Sequence, residues 1–179
     1  MSVVLNINLA PVAEREFQVI FRLKESLERL CSDDPERFNY VIIDCLPSFG
    51  HLHLAALNAA DYVLIPIKPD PYALAGIKDL FDTIKKILKY FNPKLKTLGI
   101  IINQVDGRSP VIEREMEEAL RDMYGSMVFK STIRKRIKLV ESSALQSPIS
   151  EYDPSGPSAK EFKALANEII MRLRGKNGK

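Results

Sequence analysis

The run Tyr40-Val41-Ile42-Ile43-Asp44, with Pro47, Ser48 and Gly50 close behind it, constrains this chain more than any other segment. A parallel strand covered on both faces reads as a continuous apolar run rather than an alternating one. In open α/β sheets, ligands sit just beyond the carboxyl ends of such strands. An aspartate placed there can hold a Mg²⁺ ion or a metal-bound water beside phosphates. It is equally suited to capping the turn that follows, which is common chemistry for a strand-end Asp. The segment alone leaves both roles open.

The rest of the chain repeats the theme of short apolar strands divided by helical patterns. Apolar residues at Val12, Phe17, Ile20, Leu23, Leu27 and Leu30 predict a helix over Val12–Cys31, closed by Ser32-Asp33-Asp34-Pro35. Further helices are expected over His51–Ala60, Tyr72–Phe91, about Pro110–Tyr124 with Gly125 as a C-cap, and Pro157–Arg174. Strands are expected over Tyr62–Ile67, Thr97–Asn103 and from Met127 toward Ile133, with one or two helical turns in Lys135–Ser142. Strands alternating with helices imply an α/β fold: a parallel sheet, right-handed crossovers and helices on both faces. No linker divides the sequence, so one domain is expected over residues 1–179, with a flexible basic tail over 172–179.

Composition narrows the chemistry. The 26 Lys and Arg against 23 Asp and Glu give a net charge of only +3, so any nucleic-acid signal must be local. Cys31 and Cys45 form no CxxC, and His51 and His53, two apart on a helix, face different sides. A metal or redox centre built on them is not expected. The apolar runs are strand-sized, and the N-terminus has no basic patch followed by an apolar core, which points to a cytoplasmic protein.

The local signal is Lys130-Ser131-Thr132-Ile133-Arg134-Lys135-Arg136-Ile137-Lys138, five cations in nine residues with no acid. Cations clustered on one surface neutralise phosphates and release counterions, so they bind DNA without reading sequence and lose affinity with salt. A solvated charged face is the plainer alternative. Aromatics do not interleave the stretch, so stacking on single strands has no support.

Four segments, in order, resemble one family: Tyr40–Gly50, Ala60-Asp61-Tyr62-Val63-Leu64-Ile65-Pro66, Gly99-Ile100-Ile101-Ile102-Asn103-Gln104-Val105-Asp106, and Pro148-Ile149-Ser150-Glu151-Tyr152-Asp153-Pro154. Together they resemble the ParA/Soj partition ATPases, deviant-Walker P-loop proteins related to MinD, over about Asn6 to Met171. The resemblance implies a P-loop NTPase-like fold with ATP and Mg²⁺ as cofactors. It makes Asp44 the Walker B carboxylate that supports Mg²⁺, the catalytic and metal residue of the set. It places Pro47 in a switch turn, where Leu46 stands for the family's first proline, and it makes Asn103 the adenine contact; an Asn satisfying backbone groups in a turn is the plainer reading of Asn103. It assigns Arg134, Lys135, Arg136 and Lys138 to nonspecific DNA, with Lys135 and Lys138 where the family carries arginines. It also implies a centromere-binding, ParB-like partner and a dimer, either with itself or with a full-length homologue.

One element of the family pattern is not found in these 179 residues. The sequence contains no G-x-x-x-x-G-K-[ST] loop, which cradles ATP phosphates with backbone N–H groups and a lysine. Since phosphoryl transfer depends on positioning and charge stabilisation, hydrolysis by this polypeptide alone is expected to be impaired or absent. The family's loop-bearing strand sits beside the Walker B strand. The expectation here is that Ser2–Ile7 joins the sheet there, or that another chain covers the edge. Two functions follow: a DNA-partition protein, or a regulatory module that pairs with a full-length homologue without binding DNA. A MinD-like membrane helix is not expected, because the basic tail after Met171 has too few apolar residues.

Overall fold

The computed structural model describes residues 3–5, 16–34, 38–45, 50–70, 73–108 and 110–177. Strands are β1 (Val3–Leu5), β2 (Val41–Ile43), β3 (Tyr62–Ile67), β4 (Lys96–Val105) and β5 (Val128–Arg134). Helices are α1 (Glu16–Asp33), α2 (His51–Ala59), α3 (Ala73–Tyr90), α4 (Pro110–Tyr124), α5 (Ile137–Ala144), α6 (Ile149–Tyr152) and α7 (Pro157–Asn177). The fold is α/β with parallel strand pairing, as the alternation predicts. The single turn α6 and the short 3₁₀ turn Gly125–Met127 are described elements that the apolar spacing did not indicate. The chain forms two compact units, Met1–Val63 with Leu80–Lys96 and Leu64–Asp79 with Thr97–Lys179.

In the first unit β1 pairs in parallel with β2, Val3 opposite Val41 and Leu5 opposite Ile43, so Val3–Leu5 of the expected Ser2–Ile7 segment does join the strand that precedes Asp44. β2 is less covered than its apolar run implied. Ile42 is 54% exposed, so the face of β2 that carries it is not covered. Helix α2 lies against α1, and the small residues Ala55 and Ala56 are buried, which lets helix backbones approach closely. Two buried asparagines tie this unit together. Asn58 Nδ2 donates to the Ile20 carbonyl at 3.1 Å. Asn92, in the turn after α3, donates from Nδ2 to the carbonyls of Leu57 (3.1 Å) and Ala60 (2.8 Å) and accepts the Lys94 N–H at 3.2 Å. Asn92 therefore anchors the end of α3 to the end of α2.

In the second unit the strand order is β3-β4-β5. The central strand β4 buries Leu98, Ile100, Ile101 and Ile102 in succession, the pattern of a strand covered on both faces. β5 runs parallel to it, and its Val128, Phe129 and Ile133 complete the core with Leu120 of α4 and Leu165 of α7. The register slips twice, between Ile100 and Ile102 and again between Ile102 and Val105. Helix α7 packs against β5 and continues to Asn177. Arg172, expected in a flexible tail, is instead fixed. Its guanidinium lies 3.8 Å from the centre of the Phe129 ring and donates to the carbonyls of Met127 (3.2 Å) and Val128 (3.0 Å) and to Glu168 (2.9 Å). An amphipathic helix with a stacking partner outweighs the fraying that a basic C-terminal stretch suggests.

Candidate functional site

Asp44 is exposed and follows the carboxyl end of β2, the position its run predicted. Beside it, partial burial raises the Cys45 thiol pKa and the Asp44 charge adds to the effect, so the thiol is not activated. Pro47 lies outside the described residues.

The other described candidates belong to the second unit, and all but Lys138 meet in one cleft of about 1150 Å³. Asn103, Arg134, Lys135 and Arg136 all line it, with Ser142, Ser147 and Phe162 among the remaining walls. They meet because β4 and β5 are parallel, so residues near the carboxyl ends of both strands arrive at the same sheet edge. Asn103 lies in the second register slip, next to Gln104, whose φ is +58°. Bulges of this kind re-aim side chains at sheet rims. Asn103 Oδ1 accepts the Gln104 N–H at 2.9 Å. Only oxygen can face that donor, so the amide nitrogen is the end left to face a ligand. The side-chain carbonyl therefore serves the turn, and Asn103 is among the residues that line the cleft.

The cations are less alike than their sequence suggests. Arg136 is half-buried and donates through both terminal nitrogens to Glu161 of α7, at 2.6 and 2.8 Å. Glu161 also accepts the backbone N–H of Arg134 at 3.1 Å. Partial burial pushes the Glu161 pKa up, but the Arg136 and Arg134 donors outweigh it and the net shift is downward. Lys135 reaches Asp106 at 3.3 Å and Lys138 reaches Glu141 at 3.3 Å, both exposed pairs. Asp106 also takes the Arg108 guanidinium, and that hydrogen bond is the main reason its carboxyl is held below the ordinary carboxylate range. Glu141 additionally accepts the Tyr152 hydroxyl at 2.9 Å. Arg134 and Lys130 are exposed.

Two carboxylates that sequence reasoning missed organise this region. Glu161 and Glu168 are seven residues apart on α7, so they share a helix face two turns apart. Glu168 accepts the N–H groups of Lys130 and Ser131, both at 2.9 Å, inside the stretch where β5 slips register. Backbone donors that leave a ladder need acceptors, and α7 supplies them. The i, i+7 spacing of two acids on the last helix was the only available signal. Among the described residues no group of three or more His, Cys, Asp or Glu is placed to hold a metal ion, and no helix is long and apolar enough to cross a membrane.

A family model described as an AAA domain matches residues 2–97. The chain is 36% identical over 152 residues to the chromosome partitioning protein ParA of Myxococcus xanthus, covering 85% of this chain and 52% of that protein. It is 32% identical over 139 residues to the chromosome-partitioning ATPase Soj of Thermus thermophilus, covering 78% of this chain and 55% of the relative. Among solved structures it is similar to the septum site-determining protein MinD of Pyrococcus horikoshii complexed with Mg-ADP, with a TM-score of 0.67 at 22% identity, over 89% of this chain and 60% of that one. The chain spans little more than half the length of these relatives. With its parallel strand pairing and the helices that follow its strands, this chain belongs to the ParA/Soj family.

Proposed function

We propose that this chain serves DNA partition as a ParA-type protein, binding duplex DNA without sequence preference and engaging a centromere-binding partner protein. The observation that carries the reading is the cleft itself, where Arg134 and Lys135 stand at the carboxyl end of β5 beside Asn103 at that of β4. Exposed cations there can neutralise phosphates, whereas Arg136, pinned to Glu161, serves as a strut. The nucleotide end is partly supported. Asn103 and the apolar wall at Phe162 suit a purine base, and the family resemblance gives Asp44, in the first unit, the role of supporting Mg²⁺. When bound, that ion would neutralise phosphate charge. The 179 residues hold no glycine-rich phosphate loop, so we derive no hydrolysis step and expect turnover by this polypeptide alone to be impaired or absent. Self-pairing, or pairing with a full-length homologue, belongs to the same proposal.

A salt titration of duplex DNA binding tests it. The expected result is affinity that falls linearly on a log–log plot, indifferent to sequence, and weakens when Arg134 and Lys135 are changed to Ala. No binding at low salt would remove the DNA role. The alternative, a regulatory module that pairs with a full-length homologue, is favoured by one feature: Lys135, Arg136 and Lys138 all have carboxylate partners within the chain. Co-purification with such a homologue, combined with silence in the DNA titration, would select it.

A further inference from the structure

We infer that carboxylates of the same unit compete with DNA for the basic stretch, so that Asp106 and Glu141 hold its phosphate affinity below what its charge would give; this rests on the DNA-binding reading above. The internal pairs divide into two kinds. Arg136 and Glu161 form a bidentate, half-buried contact whose carboxylate also accepts the Arg134 N–H, and its geometry favours permanence. The Lys135–Asp106 and Lys138–Glu141 pairs are single contacts at 3.3 Å, with lysine side chains 51% and 55% exposed. Exposed pairs of that kind are weak, so a phosphate can exchange with the carboxylate. Each exchange sets an anion free, and that release subtracts from the gain of neutralising the phosphate. Asp106 is further fixed by the fold: Glu113 of α4 accepts the N–H groups of Asp106 (3.2 Å) and Gly107 (2.9 Å), which holds the loop where Lys135 can reach it. Glu141 is held by the Tyr152 hydroxyl, and the Lys138 ammonium lies 5.1 Å from the centre of the Tyr152 ring. The carboxylates are therefore placed against the lysines by neighbours outside the basic stretch.

The test compares the full chain with D106N, E141Q and E115Q in duplex DNA titrations across salt. Glu115, exposed on α4, controls for the loss of one negative charge. Each of D106N and E141Q is expected to bind about two- to fivefold tighter than E115Q at low salt, the range set by exposed ion pairs. Each should steepen the log–log salt slope by about 0.9, one more counterion released. Adding Lys135→Ala to D106N should abolish its gain, which separates Lys135 from Arg108, the other partner of Asp106. Salt-dependent binding by the unmodified chain, with D106N and E141Q no tighter than E115Q, overturns the competition and leaves the DNA reading standing. A D106N gain that survives Lys135→Ala overturns the role given to Lys135. Silence of every variant at low salt overturns both readings together.

Discussion

Glu161 grips Arg136 by both terminal guanidinium nitrogens, at 2.6 and 2.8 Å, and so joins α7 to the segment leaving β5. A residue expected to touch DNA is thereby a structural brace. The distinction matters because a mutational scan of the basic stretch would otherwise treat all its cations as equivalent.

Arg136→Ala should cost stability first and DNA affinity only secondarily. It strands a half-buried Glu161 carboxylate, and charge-assisted bonds of this kind contribute roughly 1.5–3 kcal/mol. Arg136→Lys should recover only part of this, since an ammonium cannot make the two-pronged contact. Urea unfolding checks the order. A variant of unchanged midpoint with lost DNA binding would contradict the brace.

Glu168 predicts an acid limit. Burial raises its pKa, but the Lys130 and Ser131 N–H groups and Arg172 together outweigh it, so the folded-state value lies below the ordinary one. A lowered carboxyl pKa contributes stability that is complete above the unfolded value, about 4.3, and is lost as pH falls through the folded value. Thermal unfolding between pH 3 and 6 should show this loss, and Glu168→Gln should flatten it. At neutral pH that variant should be less stable by roughly 2 kcal/mol, because the new amide turns a donor toward one of two backbone donors.

Gly99 admits no side chain. Its φ is +155°, and a Cβ there would overlap the Met127 carbonyl, the Phe129 ring and the Arg172 guanidinium. Gly99→Ala should therefore push Arg172 off Phe129 and destabilise the second unit by about 2 kcal/mol or more, where overpacking alone costs 1–3. Loss of protection from hydrogen exchange in β5, with the first unit little changed, is the expected signature.

Asn92→Ala should loosen the first unit. It removes donors to the Leu57 and Ala60 carbonyls and an acceptor for Lys94 N–H at a site only 5% exposed. The expected cost is roughly 2–3 kcal/mol, that of leaving buried polar groups unmet. A shift in the unfolding midpoint below about 0.5 kcal/mol would contradict that role.

Local chemistry on its own determined the elements. The runs at Tyr62–Ile67 and Pro110–Tyr124 were legible in the sequence, because a short apolar run bounded by turn residues marks a strand and an amphipathic helix imposes a period on its side chains. The meeting of Asn103 with the basic stretch was not read from the sequence; it follows from β4 and β5 running parallel and delivering their carboxyl ends to one edge. What only the tertiary structure decided was which charges remain open to a ligand. Glu161 binds Arg136, Glu168 the Lys130 and Ser131 N–H groups, and Asp106 Lys135 across 25, 37 or 38, and 29 residues, and no local pattern encodes such a pairing. A carboxylate's partner is set by distance in space, through packing of α7 on β5, and chain order carries no direct record of that distance.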